Sequence, residues 1–183
     1  MTGFYDRHIL PYVIGCACGS KPIAKQRAKV VPLASGRVLE LGIGGGLNLP
    51  FYDPKKVLSV QGVDPSSELR GIAHEAPRPP GLIVEVREGT AEALPFGNHS
   101  FDSIVCTFTL CSVHTPAAAL AEARRVLKPG GRFLCLEFST PVPWLRPLYR
   151  WFSNVVIPRL GGWVAGSPEA YLYLVESIRR FPD

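Results

Sequence analysis

Apolar residues along this chain fall into two patterns that alternate. Segments rich in apolar β-formers at 38–41, 57–63, 82–87, 101–107 and 132–138 read as five strands, the first buried and the fourth largely so. Between these segments, apolar positions recur at helical spacing. Ile9, Tyr12, Val13 and Cys16 stand at i, i+3, i+4 and i+7, and a more basic helix is expected over 21–33, stopping before Ser35-Gly36. Pro65-Ser66-Ser67 opens another helix after the second strand. Thr115-Pro116 offers a capping hydroxyl and a proline at the first helical position, with Leu120, Ala123, Val126 and Leu127 as the buried stripe. Lys128-Pro129-Gly130-Gly131 reads as a turn, and Tyr171, Leu174, Val175 and Ile178 form a last helical face after Ser167-Pro168. Strands that alternate with helices predict one α/β domain, a doubly wound and mostly parallel sheet.

The chemistry concentrates at 38–50, VLELGIGGGLNLP, where a buried strand breaks into glycines and then into a helix start. Such a turn points its backbone N–H groups outward and lets a flat ligand approach the main chain. A dinucleotide fingerprint fails on register, because its third glycine would fall on Leu47 or Leu49. A P-loop fails because no Gly-Lys-Ser/Thr follows. What remains is acid-x-Gly-x-Gly-x-Gly, made of Glu40, Gly42, Gly44 and Gly46. Asp64 ends the second strand about 20 residues on, where doubly wound folds place an acid for ribose hydroxyls. The bland alternative is that Asp64 caps the next helix.

Composition narrows the partners. With 46% hydrophobic and 19% charged residues the chain is globular, and 183 residues suffice for one core. The net charge of +5 comes without any block of basic residues, so nucleic acid is not an expected partner, while a mildly acidic lipid surface is compatible. Cys16, Cys18, Cys106, Cys111 and Cys135 are odd in number and lack a C-x-x-C pair. Neither a disulfide framework nor a metal site is expected, and the location read from this is the reducing cytoplasm. Val13-Ile14-Gly15-Cys16 looks like a lipoprotein cleavage site, but Asp6 and Pro11 spoil its flanks. No transmembrane or export segment is expected.

Four blocks in order, VLELGIGGG (38–46), VQGVDPS (60–66), GTAEALPFGNHSFD (89–102) and RVLKPGGRFLCLEF (125–138), resemble the class I S-adenosylmethionine (SAM) methyltransferases. The resemblance implies a Rossmann-like fold with SAM as cofactor. It puts Asp64 on the ribose, Thr90 and Ala91 at the adenine edge, and Thr107 beneath the methionine portion. Glu40 would brace the glycine turn and the amino group. The flanks point two ways. FYDRHILPYVIGCACG (4–19), FYDP (51–54) and TLCSV (109–113) resemble small methyltransferases related to the methyltransferase-like thiol methyltransferases. From Leu136 onward the chain is similar to the ubiquinone/menaquinone biosynthesis C-methyltransferases, which usually carry Arg-Asn where this chain has Cys111-Ser112.

The implied activity is methyl transfer to a small, apolar acceptor, with quinone C-methylation as the specific alternative and an inactive SAM-binding partner subunit as the rival of another class. Segment 1–35 would be a helical lid, 36–138 the cofactor-binding core and 139–183 the acceptor side. A carbon or hydroxyl acceptor must lose a proton. His114 follows the fourth strand at its ligand-binding end and is the expected base, with Tyr5 and His8 within reach from the lid. A thiol acceptor, which ionises near neutral pH, needs no strong base. Cys111 is expected to be a small packing residue. Trp144, Trp151 and Trp163 interleave with Arg146, Arg150 and Arg159, which suits either a peripheral membrane contact or a cover over the sheet. Families with this C-terminal stretch close the sheet with an antiparallel strand pair, and nothing after Phe138 has the alternation for one. The fifth strand would be an apolar edge, which predicts a shortened, marginally soluble chain or a homodimer.

Overall fold

The computed structural model describes residues 19–137, 143–152 and 155. The helix expected over 9–16, with Tyr5 and His8, and the stretch holding Trp163 and the last helical face lie outside them. The chain divides into two units, Met1–Leu136 and Glu137–Asp183.

In the first unit, helix α1 (Lys21–Val30) is followed by a 3-10 turn (Val31–Leu33), where Pro32 removes the N–H that would continue the helix. Five strands follow: β1 (Gly36–Leu41), β2 (Val57–Asp64), β3 (Val84–Glu88), β4 (Phe101–Thr107) and β5 (Leu127–Leu136). Their order is β3-β2-β1-β4-β5, every pair parallel. Helix α2 (Ser67–Glu75) joins β2 to β3, and α3 (Pro116–Val126) joins β4 to β5. This is the doubly wound Rossmann-like sheet, and among the described residues no antiparallel pair closes it beside β5.

Register sorts the two faces of the sheet, because side chains alternate along each strand. One face carries Val38, Glu40, Val60, Gly62, Val84, Val86, Val105 and Thr107. Its core joins Val31, Val38, Leu49, Tyr52, Val60, Ala73 and Val105. The opposite face carries Leu39, Leu41, Ile104 and Cys106, all buried, and it is the face on which the right-handed rule for parallel crossovers puts α3 between β4 and β5. Central β1 is therefore apolar at consecutive positions, since both faces are covered, and each such Val or Leu contributes about 1.5–3 kcal/mol by leaving water. Toward β3 the second face turns polar, with Gln61 donating to Glu85 and Arg87 paired with Glu85.

Four local expectations need correction. No α-helix follows the glycine turn; there is a single 3-10 turn, Leu49–Phe51, because Pro50 lacks an N–H and Asn48 and Tyr52 bond inward instead. On α3 the buried stripe is Ala119, Ala123 and Val126, while Leu120 is exposed: small side chains let the helix lie close to the sheet. The Thr115 hydroxyl makes no cap bond. The Glu92 carboxylate takes that place, accepting from the His114 and Thr115 N–H groups at 2.9 and 3.4 Å. Residues 128–131 lie within β5, where the pairing slips between Phe101 and Ser103 and Gly130 has φ +76°.

The second unit is described over a 3-10 turn (Pro143–Leu145) and a short helix, α4 (Arg146–Trp151). Trp144, Leu148, Trp151 and Phe152 are exposed there. Among the described residues, no helix is long and apolar enough to cross a membrane.

Candidate functional site

Parallel strands leave their C-terminal ends together, and the glycine turn sits at that end of the sheet, between β1 and its crossover to β2. Gly42, Gly44 and Gly46 have φ of +62°, +54° and +75°. The reasons for glycine differ. A Cβ on Gly42 would lie 2.6 Å from the Thr109 side chain, whose hydroxyl donates to the Leu41 carbonyl at 3.1 Å. A Cβ on Gly46 would strike Ala76 of the α2 end at 2.7 Å. At Gly44 the only neighbour among the described residues is the Gly42 carbonyl at 3.9 Å, so among them the turn is open on this side. Left-handed backbone combined with an open face is what close approach of a ligand requires.

Asp64 latches that turn. One carboxylate oxygen accepts from the Gly44 N–H at 2.9 Å, and the other accepts from the Ser66 N–H at the same distance. The helix cap is Ser66, whose hydroxyl accepts from the Leu69 N–H at 3.2 Å. The bland cap reading of Asp64 thus passes to its neighbour. Each oxygen of Asp64 keeps a second lone pair for a hydroxyl donor. Behind it, Arg70 donates to the Asp64 and Pro65 carbonyls and pairs with Glu88 at 3.0 Å.

Beneath the turn lies a buried polar cluster. Glu40, 1% exposed, accepts from Asn48 Nδ2 and from the Tyr52 hydroxyl, each at 2.8 Å. Asn48 also donates to Thr107 Oγ1 at 3.0 Å. Arg27 reaches down from α1 and donates to Asn48 Oδ1 at 2.5 Å and Thr107 Oγ1 at 2.8 Å, with its guanidinium over the Phe108 ring. Burial pushes the Glu40 carboxyl up to about 7, against the opposing pull of Tyr52, Asn48 and the Arg27 charge. The Tyr52 hydroxyl is raised well above its ordinary value by burial and by the Glu40 charge.

The structure therefore groups Glu40, the glycines, Asp64 and Thr107 around one strand-end region. Glu40 braces the segment after the turn through Asn48 and Tyr52. Thr107 belongs to the same buried cluster. Thr90 is exposed and Ala91 buried, in a small bridge between Thr90 and Ala93 just beyond β3. His114 is exposed, and its main chain is held by Glu92. The Glu92 carboxyl lies below its usual range: slight burial would raise it, and the backbone N–H groups that it accepts from outweigh that. Cys111 is half-buried beside the Phe108 carbonyl. Among the described residues no metal-binding cluster is present. Sequence reasoning missed Arg27, Asn48 and Tyr52. Two had a signal: Arg27 stands four residues after Ile23 and three before Val30, a cation on an apolar stripe, and Asn48 is the one polar residue between Leu47 and Leu49.

Comparison with known proteins agrees with this geometry. The model of the ubiE/COQ5 methyltransferase family matches residues 12–183. The ubiquinone/menaquinone biosynthesis C-methyltransferase of Rubrivivax gelatinosus is 54% identical over 127 residues, covering 66% of this chain and 47% of that protein. The protein of the same description from Caulobacter vibrioides is 41% identical over 172 residues, covering 93% and 62%. The chain thus spans about half to three fifths of the length of these curated relatives. Among solved structures, a SAM-dependent methyltransferase of Thermotoga maritima, described as a possible histamine N-methyltransferase, superimposes with a TM-score of 0.59 at 29% identity over 82% of this chain and 67% of that one. A SAM-dependent methyltransferase of Methanosarcina mazei gives 0.53 at 34% identity over 64% and 58%. The glycine turn, the acid at the end of β2 and the strand order all accord with the family match: the chain belongs to the ubiE/COQ5 methyltransferase family.

Proposed function

We propose that this chain is a SAM-dependent methyltransferase whose acceptor is a ring carbon of a quinone precursor. The observation that carries the SAM reading is the open side of Gly44, latched by Asp64 at the end of β2. Gly42, Gly44 and Gly46 would hold the donor against the main chain, Asp64 its ribose hydroxyls, and Thr90 and Ala91 its base. Bound SAM supplies a methyl group on a sulfonium, ready for in-line displacement. What this chain contributes is alignment, together with removal of the proton that a ring carbon or its hydroxyl loses. His114, on the turn after β4, is the proposed base. The carbon acceptor is supported by the relatives, each described as a C-methyltransferase of quinone biosynthesis. A thiol acceptor is the second reading, favoured by Cys111-Ser112 in place of the usual Arg-Asn. The exposed Trp144 and Trp151 support a peripheral membrane contact, where an apolar acceptor would be met.

Tritiated-SAM turnover with demethylated quinols and with small thiols separates these readings, and SAM binding without turnover would point to a partner subunit. Calorimetry is expected to show SAM and its demethylated product binding and NAD not binding; the reverse would end the methyl-transfer reading. Asp64→Ala should weaken SAM binding about tenfold to a hundredfold, since a charged acceptor of two hydroxyls and the Gly44 latch go together. A folded variant with unchanged affinity would reduce Asp64 to a turn brace.

A further inference from the structure

We propose that Arg27 is a positioning residue of the donor site: its guanidinium fastens α1 to the glycine-turn segment and to the end of β4, and so sets the affinity for SAM. The inference rests on the methyl-transfer reading above. Arg27 is 5% exposed although it belongs to a helix whose other basic side chains face water. A single guanidinium nitrogen bonds both Asn48 Oδ1 and Thr107 Oγ1. Those acceptors belong to different elements, one following the glycines and one ending β4, separated by 59 residues in sequence. Phe108, next after Thr107, has φ +55° and lies under the cation, its centroid 5.1 Å from the guanidinium carbon. A non-glycine residue in that conformation must be held by its surroundings, and the Arg27 contact is one such restraint. Asn48 passes the linkage on to Glu40, and Glu40 to Tyr52. One cation thus ties α1, the crossover after β1 and the β4 end into a single frame around the open face of Gly44.

A packing role and this electrostatic one predict different data. Among the described residues, the charged or titratable groups facing Glu40 are Arg27 from α1 and Tyr52 from the crossover. Ionised Glu40 accepts from Asn48 and Tyr52, so SAM affinity should rise with pH through about 7 as that carboxyl loses its proton. Replacing Arg27 removes a cation that favours the ionised form, so the midpoint should move upward. Titration of SAM by calorimetry across pH, on wild type, Arg27→Lys and Arg27→Gln, tests this. For Arg27→Gln the expected result is about a tenfold rise in Kd and an upward midpoint. Arg27→Lys keeps a cation with several donors but loses the planar stacking on Phe108, so its Kd should fall between those of wild type and Arg27→Gln, with the midpoint near that of wild type. A folded Arg27→Gln with wild-type affinity and midpoint overturns the proposal, as do Lys and Gln variants that are equally weak. If Arg27→Gln does not fold, Arg27→Lys decides: a small affinity change with an unmoved midpoint supports the role, and a folded Lys variant that has lost SAM overturns it. Failure of wild type to bind SAM would fell the methyl-transfer reading instead. The Arg27–Glu40 coupling would then still be readable from the pH midpoint of thermal unfolding.

Discussion

Gly44 carries two constraints that mutation can separate. Its φ of +54° makes any side chain strained, at about 1–2 kcal/mol, but among the described residues a Cβ there meets only a carbonyl oxygen at 3.9 Å. Gly44→Ala should therefore fold, with that modest loss in denaturant titration, while SAM affinity falls by more than the stability loss accounts for. Gly44→Val should be worse on both counts. Equal losses in stability and affinity would mean that the open face is not where the ligand lies. Glu40 supplies the second residue-scale test. Its carboxyl is raised from 4.5 to about 7, so between those values the folded chain holds a proton that the unfolded chain has released. Its contribution to stability is complete below 4.5 and is lost as pH rises through about 7, which amounts to about 3 kcal/mol. Glu122 works in the opposite direction: its bond to Arg125 leads the causes holding it at about 2, so its contribution is lost as pH falls from 4.5 toward that value. The windows do not overlap. Glu40→Gln should flatten the stability profile between pH 5 and 8 and leave the acid limb unchanged, and a profile still sloping there would place the titration elsewhere.

At the scale of elements, the crossover after β1 has traded a helix for side-chain bonds. Its Asn48 and Tyr52 feed the buried Glu40, while α1 reaches the same cluster through Arg27. The loop after β3 is held similarly, with Arg125 of α3 donating to the Leu94 and Phe96 carbonyls and Glu122 accepting from the Leu94 N–H. Helix α4 and the turn before it instead present Trp144, 79% exposed, and Trp151, 58% exposed, beside Arg146. If that segment meets lipid, the double substitution Trp144→Ser and Trp151→Ser should cut co-sedimentation with anionic vesicles by at least about tenfold, since indole rings favour the interface. Undiminished co-sedimentation would remove the segment from any membrane contact.

At the scale of the whole molecule, β5 bonds to β4 along one side, and no described strand pairs with its other side. Phe133, Leu134 and Leu136 make it an apolar strand, and such an edge is a template for another chain. A homodimer that covers it is the proposed state. Light scattering should then report two chains, and amides along 133–136 should exchange slowly. A stable monomer with rapid exchange there would rule out the pairing. A monomer with strong protection would mean that the chain's own C-terminal segment covers the edge.

The central part of this fold was legible because its strands are covered on both faces. The segments at 57–63 and 101–107, in which Val, Ile, Leu, Phe and Cys outnumber the Ser, Gln, Gly, Asp and Thr between them, mark β2 and β4 nearly to the residue, since stretches so short and so rich in β-formers fit few other environments. Gly42, Gly44 and Gly46 announced the turn because left-handed backbone is open to few other residues. Helix faces were less legible. Periodicity alone preferred Leu120, and close packing chose Ala119. What the sequence could not show is which polar residues meet in the interior. Arg27 and Thr107 are 80 residues apart, and their bond exists only because β4 lies beside β1 with α1 over the same face. Glu40 read as an acid before a glycine turn, yet its raised carboxyl is a property of complete burial, and burial is decided by everything packed around it.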